Sequence, residues 1–321
     1  MMKRLLPYLL ALVLLIGCQG QGQNAASKDK FALESLNQDG APYTQEFPKA
    51  PEKVVAVYQS SIENLLALGL GDKIVLAAAL DTPVKDEYKE EFEKIGKYQD
   101  QAPSKEEVMA LEPDAIVSWS SYFTDKTLGP VDFWNERGVG TYICLNSGAA
   151  KEETLQNEYD DILNLGKMFH VEDKAEAIVK EMTDTLTSIE QQVKDRPKVK
   201  TLILEANGDG TFRVYGPDTI GGEIATTAGA DLMDVQGKIG TEDIIRLDPD
   251  VIFTVYYGTG IAKDEAFQRF LDDESLSNLI SRDDKRIYAV NLSEVYASGV
   301  RTIDGIRTIA KGIYPDITLA P

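Results

Sequence analysis

The sequence predicts an α/β fold of two similar lobes, each a mostly parallel sheet flanked by helices, with one long helix running between them. Three observations carry that prediction. Short β-branched runs alternate with helical patterns along both halves of the chain, the grammar of parallel sheets whose crossovers are helices. The stretch "EEVMALEPDAIVSW", which starts at Glu106, returns in altered form as "EDIIRLDPDVIFTV" from Glu242. A repeat so widely spaced marks a duplicated domain, not a solenoid. Between the halves, Ala175, Ile178, Val179, Met182, Leu186, Ile189 and Val193 step by three or four, with no Gly or Pro until Pro197, which is the pattern of an amphipathic helix.

The chain opens with "MMKRLLPYLLALVLLIGC". Lys3 and Arg4 precede an apolar run too short to span a bilayer comfortably, so residues 1–17 read as a secretory signal peptide. Gly17 before Cys18 resembles a bacterial lipobox, which implies that Cys18 becomes the lipid-modified N-terminus and anchors the chain to a membrane. Residues 18–50 are expected to be the lipid-anchored start and its tether, beginning with the polar "QGQGQNAASKDK". The first lobe (51–170) starts with the strand "KVVAVY", the helix "SIENLLALG" and the strand "KIVLAAAL". A charged helix over 87–94, a helix on "SKEEVMALEP" and the strands "AIVSW" and "TYICLN" follow. The linking helix occupies 171–197, and its stretch from Glu172 to Lys194 would be about 35 Å long. As the only crossing between lobes it would limit hinge opening. The second lobe (198–321) repeats the scheme with strands "VKTLILEA", "DVIFTVYY" and "RIYAVN" and helices "IGGEIATTAGA", "TEDIIRLDP" and "FQRFL". Both lobes are therefore Rossmann-like. Each carries Glu-x5-Gly on one helix (Glu63, Glu223) and Glu-x6-Pro-Asp on a later one (Glu106, Glu242).

Composition narrows the function. The formal net charge is −20, which disfavours nucleic acid and anionic lipid surfaces, both of which need clustered Lys and Arg. Cys144 is the only cysteine after Cys18, so no internal disulfide is expected. Phosphate-loop, nucleophile-elbow, Cys-x-x-Cys and His-Glu-x-x-His motifs are missing. The lone histidine, His170, sits between two helical patterns and reads as structural, so neither a metal cage nor a resident cofactor is expected. The chain reads as a binder rather than an enzyme.

Open α/β sheets bind ligands beyond the carboxyl ends of their strands. The residues at those positions are Tyr58, Trp119, Tyr122, Phe212, Arg213, Tyr215, Tyr256, Tyr257, Tyr296 and Arg301. Rings and guanidinium groups in this pattern suit a large, partly aromatic, anionic ligand.

The lipoprotein signal, "YQSSIENLLALGLGDKIV", "LEPDAIVSW", the long helix, "YGPDTIGGEIATTAGADL", "EDIIRLDPDVIF" and "SGVRTIDGIRTIAKGI" together resemble the class III substrate-binding proteins of ABC importers. That resemblance implies two lobes joined by one backbone helix, with the ligand in the cleft between them and only slight closure on binding. It implies as partners a ferric siderophore, or else cobalamin or haem, and a permease dimer driven by an ATPase. A siderophore is favoured by the arginines and rings. Haem would want an axial ligand, for which His170 is badly placed and Tyr256 or Tyr257 would have to serve. The resemblance also implies that Glu106 and Glu242 meet arginines of the permease, with Glu63 and Glu223 as a second symmetric pair. The competing reading is that acidic residues simply favour a helix's first turn, as Glu107 does in a capping box with Ser104.

Overall fold

The computed structural model describes residues 30–319 apart from 234, 236, 258–267, 269–273, 277, 278 and 280–285. The expected signal peptide, Cys18 and nearly all of the "FQRFL" helix lie outside the described residues.

The expected tether contains structure. Strands β1 (Phe31–Leu36) and β2 (Pro42–Phe47) form an antiparallel hairpin around a turn at Asn37 to Gly40. Alternate residues face inward, with Leu33 and Phe47 buried, as the two-residue period of a half-buried strand requires. The first lobe follows as β3 (Val54–Val57), α1 (Gln59–Ala67), β4 (Ile74–Ala78), α2 (Lys89–Phe92), β5 (Tyr98–Gln99), α3 (Lys105–Ala110), β6 (Ala115–Ser118), α4 (Val131–Asn135), β7 (Gly140–Ile143) and α5 (Leu155–Phe169). Its five strands are all parallel in the order β5-β4-β3-β6-β7. The hairpin covers the β7 edge. Gln45 there donates to the carbonyl of Thr141 at 2.9 Å and accepts from its N–H at 2.8 Å, doing with one amide what a neighbouring strand would do.

Helix α6 (Glu172–Val193) leads into β8 (Val199–Ala206), β9 (Thr211–Val214), α7 (Ile220–Thr227), β10 (Ala230–Leu232), β11 (Lys238–Gly240), α8 (Thr241–Leu247), β12 (Val251–Tyr256), β13 (Ile287–Asn291), α9 (Leu292–Val295) and α10 (Thr302–Ile313). The second sheet runs β11-β9-β8-β12-β13, with β10 also on β8. Here β8, β10, β12 and β13 are parallel, whereas β9 and β11 join antiparallel. Phe212 and Arg213 consequently lie on a strand, not in the loop the sequence led us to expect.

The lobes share a second joint besides α6. The segment Ser298–Arg301 of the second lobe is gripped by polar side chains of the first. Glu158 accepts the N–H groups of Ser298 (3.1 Å) and Gly299, and Asn64 accepts that of Val300 at 2.9 Å. The Arg301 guanidinium pairs with Glu63 through two nitrogens and donates to the Pro83 carbonyl at 2.8 Å. Glu223 of the second lobe reaches back, accepting from the N–H of Leu155 at 2.8 Å. Gly299 has φ +55, and a Cβ there would stand 2.2 Å from the Asn64 amide oxygen, so only glycine fits.

Glu63 is fully buried and Arg301 is 8% exposed. Removing one member of such a pair strands the other charge in a medium that solvates it poorly. Glu63→Ala should therefore lower the unfolding free energy by about 3–5 kcal/mol at neutral pH, measured by urea denaturation. A loss below about 1 kcal/mol, the usual worth of an exposed pair, would show that this contact does not hold the lobes.

Candidate functional site

In the first sheet the strand order turns at β3, which lies between β4 and β6, so the carboxyl ends of β3 and β6 open the crevice where such sheets bind ligands. Tyr58 follows β3 with φ +83, a strained value for a bulky residue, of the kind that collects at functional sites. Trp119 follows β6. Their ring centroids are 3.8 Å apart, and Tyr122 lies 5.9 Å from Tyr58. The Trp119 indole donates to the hydroxyl of Ser60, on the first turn of α1, at 2.8 Å. Tyr58 donates to Asp81, just beyond β4.

The second lobe closes the cluster. Tyr296, after α9, sets its ring 5.7 Å from that of Trp119, edge to face. Arg213 lies with its guanidinium carbon 5.4 Å from the Tyr296 ring centre and 4.7 Å from that of Tyr215, at the range of a cation–π contact. Tyr58, Trp119, Tyr122, Tyr296, Arg213 and Tyr215 are thus brought together in one contiguous group. Tyr215 is its buried floor, its hydroxyl donating to Glu205 at 2.7 Å.

Three expected residues stand apart from this group. Arg301 is committed to Glu63 and the Pro83 carbonyl, so the joint between the lobes takes the guanidinium that was expected in the cleft. Tyr257 is half exposed, and Tyr256 is half buried at the end of β12. Of the acidic pairs, Glu63 and Glu223 are interlobe ties, and full burial removes Glu63 from any docking surface. Glu106 and Glu242 are exposed.

Burial is the leading cause that pushes the hydroxyls of Tyr58, Tyr122, Tyr256 and Tyr296 above the ordinary phenol range, and the neighbouring Asp81 adds to it at Tyr58 and Tyr122. All four are neutral donors at physiological pH. Among the described residues no group of three or more His, Cys, Asp or Glu side chains is placed to hold a metal ion.

Beside Arg213 a cavity of about 700 Å³ opens between the lobes, lined by Lys151 to Thr154 from the first and by Gly216 to Thr219 and Glu223 from the second. One carboxylate oxygen of Glu153 is buried without a hydrogen-bond partner, and burial lifts this acid to about 6 despite the opposing charge of Arg213. A smaller cavity of about 240 Å³ lies under the hairpin, by residues that precede β6 and β7. That is the amino end of the sheet, away from the crevice. Asp81 is not among the expected residues, although its place beyond β4, like that of Tyr58 after β3, is a signal in the sequence. Glu153 lies in an irregular segment that carries no pattern.

A family model described as "Periplasmic binding protein" matches residues 54–290. The chain is 29% identical over 317 residues to the ABC transporter substrate-binding lipoprotein YvrC of Bacillus subtilis, covering 96% of this chain and 95% of that one. It superimposes on a periplasmic binding protein from Veillonella parvula with TM-score 0.83 and 32% identity, over 89% of this chain and 92% of the other. The petrobactin-binding protein YclQ of Bacillus subtilis aligns with TM-score 0.67 and 19% identity, over 89% and 99% respectively, a likeness of fold.

The raised acid gives a pH signature. Below about 4.5 the Glu153 carboxyl is protonated folded or unfolded; as pH rises the unfolded chain releases the proton first, so stability is lost until about 6. Glu153→Gln should remove that loss. The stability difference, variant minus native, should grow from about pH 4.5 to 6 and stay level above, in denaturation curves taken across that range. A difference independent of pH would refute the burial of this carboxyl.

Proposed function

The chain belongs to the periplasmic binding protein family, and from that premise we propose that it is the substrate-binding lipoprotein of an ABC importer. In this reading it captures a ferric siderophore outside the cytoplasmic membrane and hands it to a permease dimer worked by an ATPase. The family is one of binding proteins, so the cleft is assigned a ligand and not a reaction.

The observation that carries the ligand class is the group formed by Tyr58, Trp119, Tyr122, Tyr296 and Arg213 at the carboxyl ends of the central strands. Flat rings offer contact area at little entropic cost, and Arg213 lies against them with no ion pair among the described residues. An oxygen-rich, anionic chelate meets both: its ligand framework packs on the rings and its oxygens accept from Arg213 and the tyrosine hydroxyls. Because these phenols are held above their ordinary range, a phenolate bond to iron would cost extra deprotonation. The metal therefore arrives already chelated. Haem ligated through Tyr256 is correspondingly disfavoured; cobalamin, whose corrin could lie on Trp119, is the second reading. The likeness to an ABC transporter substrate-binding lipoprotein supports the transport role, and the likeness in fold to a petrobactin-binding protein supports the ligand class.

Cys18 is assigned the lipid anchor, and Glu106 and Glu242 are assigned to permease docking. In both lobes helix capping falls to the next residue. Glu107 accepts from the Ser104 N–H at 2.7 Å, and Asp243 accepts from the Gly240 N–H at 3.0 Å. Glu106 and Glu242 have no such duty.

Of the two tryptophans, Trp134 is fully buried and Trp119 is in the cleft, so fluorescence reports the site once Trp134 is replaced by Phe. Titration with ferric siderophores, haem and cobalamin should show quenching at micromolar concentration by a ferric siderophore, and Arg213→Ala should weaken binding by about tenfold or more. Quenching by cobalamin alone would select the second reading, and none by any of the three would refute the ligand assignment. Glu106→Ala with Glu242→Ala should abolish uptake with ligand affinity unchanged. Full uptake by that variant would return both residues to helix-dipole duty.

A further inference from the structure

The large apolar side chains left exposed among the described residues are Met109 (44%), Ile245 (42%) and Tyr257 (50%). Tyr257 directly follows β12. The other two occupy equivalent positions of the internal repeat, on α3 and α8, each three residues after a docking glutamate. Residues three apart share a helix face, so Met109 is beside Glu106 and Ile245 beside Glu242. Single exposed hydrophobics are ordinary. Two at matching places in diverged halves, each beside an unpaired carboxylate, form a pattern.

The local structure explains how each lobe presents this pair. The acid after each docking glutamate caps the helix, and the aliphatic residue after that, Val108 or Ile244, is fully buried and pins the helix to the sheet. The next position, 109 or 245, is thereby turned outward and joins none of the core clusters. The nearby cations are occupied: Lys105 lies over the Phe133 ring, and Arg246 pairs with Asp243 at 2.6 Å. Glu106 and Glu242 have no ion pair among the described residues.

We propose that Met109 and Ile245 are the apolar anchors of a duplicated docking surface, each entering an apolar recess beside a basic side chain on one subunit of the permease dimer. This rests on the importer reading above. A surface that occurs twice in one chain calls for a partner that presents its complement twice, which is what a two-fold dimer does. A second copy of this chain is the wrong occupant, because it would set carboxylate against carboxylate in a molecule of net charge −20. An anionic lipid surface is wrong for the same reason. The apolar contact supplies what an exposed ion pair lacks. Closing it expels water around Glu106 and Glu242, and the desolvated charge pair then discriminates among partners more sharply than a solvated one.

The test uses the full-length receptor and its importer in native membrane vesicles, with uptake of the ferric siderophore that the receptor binds as the readout. Met109→Ser with Ile245→Ser should cut uptake by about tenfold or more while chelate affinity and melting temperature stay at wild-type values; Met109→Leu with Ile245→Leu should retain uptake. Wild-type uptake by the serine pair, in vesicles where Glu106→Ala with Glu242→Ala abolishes it, would overturn this inference and leave the docking reading standing. Full uptake by both variants would overturn the docking reading and this inference together. No uptake by the wild-type receptor would overturn the importer reading on which both depend.

Discussion

The geometry of the cleft depends on carboxylates that bridge the lobes. One covalent crossing, α6, cannot by itself fix the angle between two sheets. Glu63, Glu158 and Glu223 supply the missing constraints by reaching from one lobe to N–H groups or a guanidinium of the other. Glu63 and Glu158 are stable where they are because both oxygens of each are satisfied. Burial alone drives Glu158 upward in pKa, and the amide of Asn146 and the N–H groups of Gly299 and Ser298 pull it back. A buried carboxylate with this many donors costs little to keep and a great deal to disturb. The rings of Trp119 and Tyr296, which come from opposite lobes, meet at 5.7 Å because those ties hold their parent elements in place.

Duplication gave the chain two acidic residues per lobe, and the structure separates their duties by depth. The glutamates of the Glu-x5-Gly motif, Glu63 on α1 and Glu223 on α7, both tie one lobe to the other, although the bonds they make are different. The glutamates of the Glu-x6-Pro-Asp motif point to solvent. Their Pro-Asp partners keep an older common role: Asp114 accepts from the N–H groups of Glu52 and Lys53, and Asp250 accepts from that of Lys200, each fastening the start of its lobe's central strand. The repeat is therefore conserved in architecture where it braces the sheets and specialised where a helix leaves the core.

Local pattern made much of this legible before any coordinates. Strands such as "VVAV" and "AIVS" are buried on both faces and read as continuous apolar runs, and α6 announces itself by an uninterrupted amphipathic period. The hairpin was equally written in the sequence, as alternation in "FALESL" and "PYTQEF" around Asp39-Gly40. Polar residues at its outward positions continue the composition of the tether and mask it. The partner of Arg301 is illegible for a different reason. A guanidinium after a strand end looks the same in sequence whether it faces a ligand or a carboxylate 238 residues away. Only the fold chooses the partner. Glu153 belongs to the same class, since its unusual environment comes from a loop of the other lobe.

The magnitudes decide how such a molecule accommodates a ligand. A ligand standing between Trp119 and Tyr296 must part their ring contact, worth about 0.5–1.5 kcal/mol. Swinging the lobes apart would instead separate Arg301 from Glu63 and strip Glu158 and Glu223 of N–H donors. Ring rotation disturbs fewer contacts, so ligand entry is expected to rearrange the cleft side chains before it alters the separation of α3 and α8, one on each lobe. On the proposed docking reading, a two-fold partner would then meet both helices with little reorganisation of the receptor.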